Sequence, residues 1–236
     1  MIGPVINSAG IVSGALLGSL FGQKLSPTFR TKINQVFGCI ALGIGVTLCA
    51  KVHSLPPMVV ALIIGALFGE SCHIETHVMR AATGAVKFFN RKKPGKSRLP
   101  ADSFNDQFAV ITVLFCASSL GVLGPMHEGI SGDFALLCIK ALLDFFTAMI
   151  FAANIGGIVG ILAVPQFTLQ LPIFLLASAI TPLTTPEMFA DFSACGGVIM
   201  LGTGLRQLGL LQVPILSMLP GLLLVMPISA LWTRFF

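Results

Sequence analysis

The sequence predicts an all-α fold: a polytopic transmembrane bundle of about seven or eight helices, with an inverted repeat and one cytoplasmic amphipathic helix. Three observations carry this expectation. Of 236 residues, 55% are hydrophobic and only 10% charged, where soluble domains carry about 25% charged residues, and the mean hydropathy is +0.94. Apolar runs recur along the chain, each near the roughly 20 residues that cross a hydrocarbon layer as a helix. One of these runs, with its leading loop, occurs twice. Lipid satisfies no open sheet edge, so the runs are helices.

In chain order, the crossings fall at about 4–23, 34–51, 56–72, 107–125, 134–153, 156–181, 193–209 and 213–233. The first lacks a basic leader and a small-residue cleavage site, so it reads as a crossing and not a cleaved signal. Gly10, Gly14, Gly18 and Gly22 form one stripe on it, and Gly65 and Gly69 share a face of the third. Small faces let helices approach closely in lipid, either within one chain or across a homodimer seam. After the third crossing, Ile74, Val78, Ala81, Ala85 and Phe89 recur at helical spacing, which reads as an amphipathic interfacial helix over 73–91. A polar linker, 92–106, follows. "NIGG" (Asn154–Gly157) makes 134–181 either one kinked crossing or two.

Charge sets the orientation. Arg80, Lys87, Arg91, Lys92, Lys93, Lys96 and Arg98 follow the third crossing, and Lys24, Arg30 and Lys32 follow the first. By the positive-inside rule both loops are cytoplasmic, so the N-terminus is periplasmic in a bacterial inner membrane. "GPMHEGISGD" has no Lys or Arg and "TPLTTPEMFAD" has only acids, so both fall outside. The net charge of +5 is concentrated in Lys87–Arg98, and no nucleic-acid fold signal accompanies it. Six scattered cysteines form no CxxC pair and read as small apolar residues.

"SPTFRTKINQVFGCIALGIG" (Ser26–Gly45) and "TPEMFADFSACGGVIMLGTG" (Thr185–Gly204) align without a gap. Pro27 meets Pro186, Gly38 meets Gly197, and Gly43 and Gly45 meet Gly202 and Gly204. Each copy is followed by an apolar run opened by proline, at Pro56/Pro57 and at Pro214. The copies occupy the second and seventh crossings, an odd step apart, and one leading loop is basic while the other is acidic. Both facts place them in opposite directions. Inverted repeats are typical of secondary transporters, which hold the solute near the midplane. The chain then divides into 1–72 (repeat 1), 73–106 (amphipathic helix and basic linker), 107–155 (central helices) and 156–236 (repeat 2).

Lys140 and Asp144 are i,i+4 within "IKALLDFFTAMIF" and share a helix face. A lone charge at mid-bilayer costs roughly 2.5–3.5 kcal/mol on insertion scales, and pairing removes much of that. The pair is either a buried tie or a proton or anion site. Asn7 and Asn154 border Gly-rich helix segments where an unwound backbone could coordinate an ion. Gln170 and Arg206 are further polar residues at membrane depth. Glu70, His73 and His77 at i, i+3, i+7 offer a metal face, a solvated helix end or a gate. Asp133 or Ser131 caps the Lys140 helix. No metal or other cofactor is expected, and no P-loop or nucleophile elbow points to an enzyme.

"EGISGDFALLCIKALLDFFTAMIFA" (Glu128–Ala152), "FGCIALGIG", "GALFGESCHIE", "DFSACGGVIMLGTGL" and "SMLPGLLL" together resemble the YqgA/YdfK-type bacterial inner-membrane family, and "MPISALWTRFF" resembles its YqgA branch. The resemblance covers nearly the whole chain and implies a polytopic inner-membrane protein of the kind described as a candidate transporter. Lys140, Asp144, Asp133, Gly132, Glu70 and Glu75 fall on matching positions, whereas His73 and His77 do not, which weakens the metal face. The expected function is a secondary transporter or channel for a small solute, anionic or proton-coupled. Its site candidates are Lys140, Asp144, Asn154, Asn7, Glu70 and Asp133. The alternative is a non-transporting scaffold or regulatory protein acting through its basic loop. The expected partners are the lipid bilayer, the solute and a second copy in a homodimer.

Overall fold

The computed structural model describes residues 1–21, 27–77, 80, 108, 111–112, 115–116 and 118–235. Among them every regular element is helical. The elements are α1 (Ile2–Phe21), α2 (Pro27–Cys49), α3 (Leu55–Ser71), α4 (Ser119–Ser131) and α5 (Ala135–Ile155). A 3-10 segment (Gly157–Leu162) leads into α6 (Ala163–Ile180), and after it come α7 (Pro186–Gln207), the short α8 (Ile215–Met218) and α9 (Pro220–Phe235). Among the described residues five stretches are long and apolar enough to cross a membrane: Ile2–Leu20, Ala135–Ala153, Gly157–Leu183, Pro186–Gln207 and Ile215–Phe235. Shorter apolar helices cover Gln35–Cys49 and Leu55–Ser71.

Helix boundaries depart from the apolar runs where local chemistry overrides hydropathy. α2 and α7 begin at Pro27 and Pro186, ahead of the expected 34 and 193. Their first turns are polar but helical, because proline at the first position has φ preset and lacks an N–H that the helix would leave unpaired anyway. Thr185 Oγ1 caps α7 by accepting from the Met188 N–H at 3.3 Å. "NIGG" is a break: Gly156 takes φ 86°, α5 stops at Ile155, and the chain restarts as the 3-10 segment. Stretch 134–181 is therefore two helical segments.

"GPMHEGISGD" was expected as an external loop, and the structure corrects this. Its first eight residues, Gly124–Ser131, continue α4, with Gly124 through Glu128 buried. Ser118 caps the start of this helix by accepting from the Gly121 N–H, and Gly132 at φ 78° ends it in the left-handed region that favours glycine. Most of the expected amphipathic helix 73–91, and all of the linker 92–106, lie outside the described residues. Within it, residues 74–77 are helical, after a turn in which His73 has φ 49°. That turn also breaks the continuous face proposed for Glu70, His73 and His77.

The chain forms two compact units: Met1–Arg30 with His77–Ala177, and Thr31–Thr76 with Ser178–Phe236. In the first, α1 and α5 run parallel. Gly10, Gly14 and Gly18 lie against the backbone carbonyls of Ala141, Phe145 and Met149 in rising order, and a Cβ on Gly10 would stand 2.7 Å from the Ala141 oxygen. The glycine stripe is thus used inside the chain (Gly22 lies outside the described residues). Ile11, Phe115, Ala148, Ile155, Val159 and Leu162 belong to the apolar core of this unit.

In the second unit, α2 and α7 are antiparallel and glycine faces glycine. A Cβ on Gly204 would meet the Gly38 oxygen at 2.8 Å, and one on Gly197 would meet the Gly45 oxygen at 2.8 Å. α3 and α9 are antiparallel as well, with Gly65 against Gly221, while Gly69 meets Ser217 of α8. Asp191, fully buried, ties the unit together. Its Oδ1 accepts from the backbone N–H groups of His53 and Ser54 at 3.0 and 2.7 Å, and its Oδ2 accepts from Ser229 Oγ at 2.7 Å.

Candidate functional site

A connected polar cluster lies inside the first unit. Lys140 and Asp144 sit one turn apart on α5, and their side chains are only 2% and 9% exposed. Lys140 Nζ donates to Asp144 Oδ2 at 2.8 Å and, more weakly, to the Phe115 carbonyl at 3.4 Å. The same Asp144 oxygen accepts from Asn7 Nδ2 at 2.7 Å. Asn7, fully buried on α1, then accepts through Oδ1 from Gln166 Nε2 of α6 at 3.1 Å. Three helices are joined by four side chains.

Each helix places its residue for a reason visible in its sequence. The glycines of α1 bring its backbone against α5, so the short Asn7 side chain reaches the carboxylate. The break at Gly156 turns the chain back along α1: a Cβ on Gly157 would stand 3.5 Å from Ser19 Oγ, one on Gly160 would stand 3.4 Å from Ala15 Cβ, and Gln166 reaches Asn7. α6 therefore runs antiparallel to α1. Lys140 and Asp144 neutralise each other, so the cluster carries no net charge. Removing one partner of such a buried pair costs about 3–5 kcal/mol, because the other charge is left uncompensated.

Around this cluster stand buried polar atoms with no hydrogen-bond partner: Gln166 Oε1, and both Nε2 and Oε1 of Gln170. Gln170 is 1% exposed and follows Gln166 by four residues, on the same face of α6. Glu128, at 4% exposure, caps α1 by accepting from the Ile2 and Gly3 N–H groups at 2.9 and 3.3 Å.

The structure joins three of the six site candidates. Lys140, Asp144 and Asn7 meet directly. Asp133 is exposed and lies one residue outside the N-cap position of α5, which Phe134 holds without a side-chain bond; its Oδ1 accepts from the Ala135 N–H at 2.9 Å. Glu70 belongs to the second unit, where its Oε2 accepts from Ser217 Oγ at 3.2 Å. Asn154 lies in the last turn of α5, and its side chain is outside the described residues. Arg206, in the last turn of α7, pairs with Glu75 at 2.9 Å. Among the described residues no group of three or more His, Cys, Asp or Glu could hold a metal ion.

Sequence reasoning missed Gln166 as a cluster member. The repeat held the signal: the Pro27-to-Pro186 offset is 186 − 27 = 159, and Asn7 advanced by 159 is Gln166.

A family model described as "Protein of unknown function (DUF554)" matches residues 2–230. The chain is 45% identical over 238 residues to the uncharacterized protein YqgA of Escherichia coli (strain K12), covering 100% of this chain and 99% of the relative. It is 26% identical over 232 residues to the uncharacterized membrane protein YdfK of Bacillus subtilis (strain 168), covering 95% and 93%. No solved structure matches it. The apolar helices and these relatives agree on a multi-pass membrane protein with an all-helical fold.

Proposed function

The chain belongs to the DUF554 family, and we propose that it is a secondary transporter or channel for a small charged or proton-coupled solute in the bacterial inner membrane. The observation that carries this reading is the Lys140–Asp144–Asn7–Gln166 cluster, a neutral group of polar side chains held on three helices within an apolar bundle. A purely structural tie needs no acceptor left over, yet Gln166 Oε1 and the whole Gln170 amide have no partner. Intramembrane ionisable residues facing the protein interior characteristically mark solute and ion pathways.

An inverted repeat supports the same reading. The offset of 159 carries α1 (2–21) to 161–180, α2 (27–49) to 186–208 and α3 (55–71) to 214–230. These ranges fall on α6, α7, and α8 with α9. Within the units, α1 opposes α6, α2 opposes α7 and α3 opposes α9. Sequence equivalence and opposed direction occur together in all three pairs. Lys/Arg distribution supports a periplasmic N-terminus and a cytoplasmic 73–106. The glycine stripes of α1 and α3 are covered within the chain, so a homodimer would use another face.

The test is flux. Wild-type protein in proteoliposomes on a solid support is challenged with concentration jumps of alkali cations, ammonium, phosphate and small carboxylates, with and without a pH gradient. At least one jump should give a current or a proton movement that protein-free vesicles lack and Asp144→Asn abolishes. Silence across the whole panel would favour the non-transporting scaffold.

A further inference from the structure

The polar cluster has a direction, and that direction selects the sign of its ligand. Asp144 is acceptor-only when ionised, so Asn7 must turn Nδ2 toward it, at 2.7 Å. Asn7 Oδ1 then faces Gln166, which must present Nε2, at 3.1 Å. Gln166 Oε1 is left buried and without a partner. The amide orientations follow from the charge on the carboxylate, so the far end of the relay is an oxygen. Gln170, one turn on, has a second unpartnered carbonyl oxygen on the same face. Every nitrogen in the relay, by contrast, already donates at least once: Lys140 Nζ, Asn7 Nδ2 and Gln166 Nε2; the unpartnered Nε2 of Gln170 lies outside the relay, on an amide free to turn its oxygen to a cation.

We infer that the cluster is a site for a small monovalent cation, with Gln166 Oε1, Gln170 Oε1 and Asp144 as its oxygen donors and Lys140 as the tethered cation that competes for Asp144. The inference rests on reading the cluster as a solute site. Hard cations take oxygen ligands, and an anion arriving at Gln166 would meet the negative end of its dipole. A divalent ion is disfavoured, since Asp144 is the one anionic group in the relay and already faces an ammonium. Adding a cation while Lys140 holds Asp144 would leave an unbalanced charge in a low-dielectric interior, which is costly. Binding is therefore a one-for-one exchange of the cation for a proton: the cation takes the carboxylate, and Lys140, left without its partner, releases one proton from Nζ so that the site keeps its net charge.

The measurement is thermal unfolding of the purified full-length protein in detergent, titrated with LiCl, NaCl, KCl or NH4Cl against choline chloride at matched ionic strength. At least one small cation should raise the midpoint saturably above choline, and exchanging chloride for phosphate or gluconate at fixed sodium should leave it unchanged. Lys140→Met removes the internal competitor and should lower the half-saturating cation concentration at least tenfold. Gln166→Leu should raise it at least tenfold. Gln170→Leu, a replacement that removes an unpartnered amide and so spares folding, should raise it several-fold even if the lysine variant fails to fold.

A midpoint that follows the anion, alkali cations that act no differently from choline, or a half-saturation unmoved in Gln170→Leu would each overturn the inference. Solute flux without cation-specific stabilisation would leave the transporter reading standing and remove this one. Cation-specific stabilisation without any flux would do the reverse.

Discussion

Asn7 of α1 and Gln166 of α6 share a 3.1 Å hydrogen bond and stand 159 positions apart, the same offset that superposes Pro27 on Pro186. The two amides lie on helices that run antiparallel within the first unit, at positions related by the sequence offset. The same reciprocity appears in the second unit, where Gly38 faces Gly204 and Gly45 faces Gly197.

The relay predicts a coupling energy. Asn7→Leu strips one donor from Asp144 and leaves Gln166 Nε2 unpaired, and should destabilise by about 2–4 kcal/mol, since each buried polar group left unsatisfied costs about 1–3 kcal/mol. Gln166→Leu alone should cost less, because its other end is already unpartnered. The double variant should be more stable than the sum of the two singles predicts, by about 1 kcal/mol or more in a double-mutant cycle of chemical unfolding.

Close approach of α1 and α5 predicts intolerance at the glycine stripe. Gly14→Ala places a methyl on the Phe145 carbonyl, and backbone cannot move aside as a side chain can. Gly14→Ala and Gly18→Ala should each lower stability by about 1–3 kcal/mol, the usual cost of overpacking, whereas Gly43→Ala, with open space around it, should be neutral. Unfolding midpoints of the three variants decide the matter.

Asp191 has a structural role that the same approach isolates. Asp191→Leu leaves the His53 and Ser54 N–H groups and Ser229 Oγ without their acceptor, a loss of about 3 kcal/mol or more. Asp191→Asn keeps an acceptor for the two N–H groups and should lose less than half as much. Comparable losses from the two substitutions would mean that the charge, and not the caps, is what matters.

Much of the fold was legible because lipid leaves few options: apolar runs had to be helices, and Lys140 and Asp144 had to pair. Boundaries were less legible. The first turns of α2 and α7 look like loop because Thr28, Arg30, Glu187 and Asp191 are polar, yet their helices extend beyond the apolar part. α4 was hidden because Pro125, Gly124 and Gly129 read as turn residues, while the Ser118 and Gly132 caps define a helix around them. Within the site, the i,i+4 pair is local and could be read directly. Gln166 could not, since its partner Asn7 lies 159 residues away and only the repeat, extended back to the first helix, connects them.

Orientation of the two repeats tests the central claim most directly. Thr28 and Glu187 are equivalent positions at the starts of α2 and α7. In a chain whose native cysteines are replaced, Thr28→Cys and Glu187→Cys are probed in turn with a membrane-impermeant maleimide, in right-side-out and in inverted vesicles. The account predicts labelling of Thr28→Cys from the cytoplasmic side alone and of Glu187→Cys from the opposite side alone. Labelling of both from one side would contradict it.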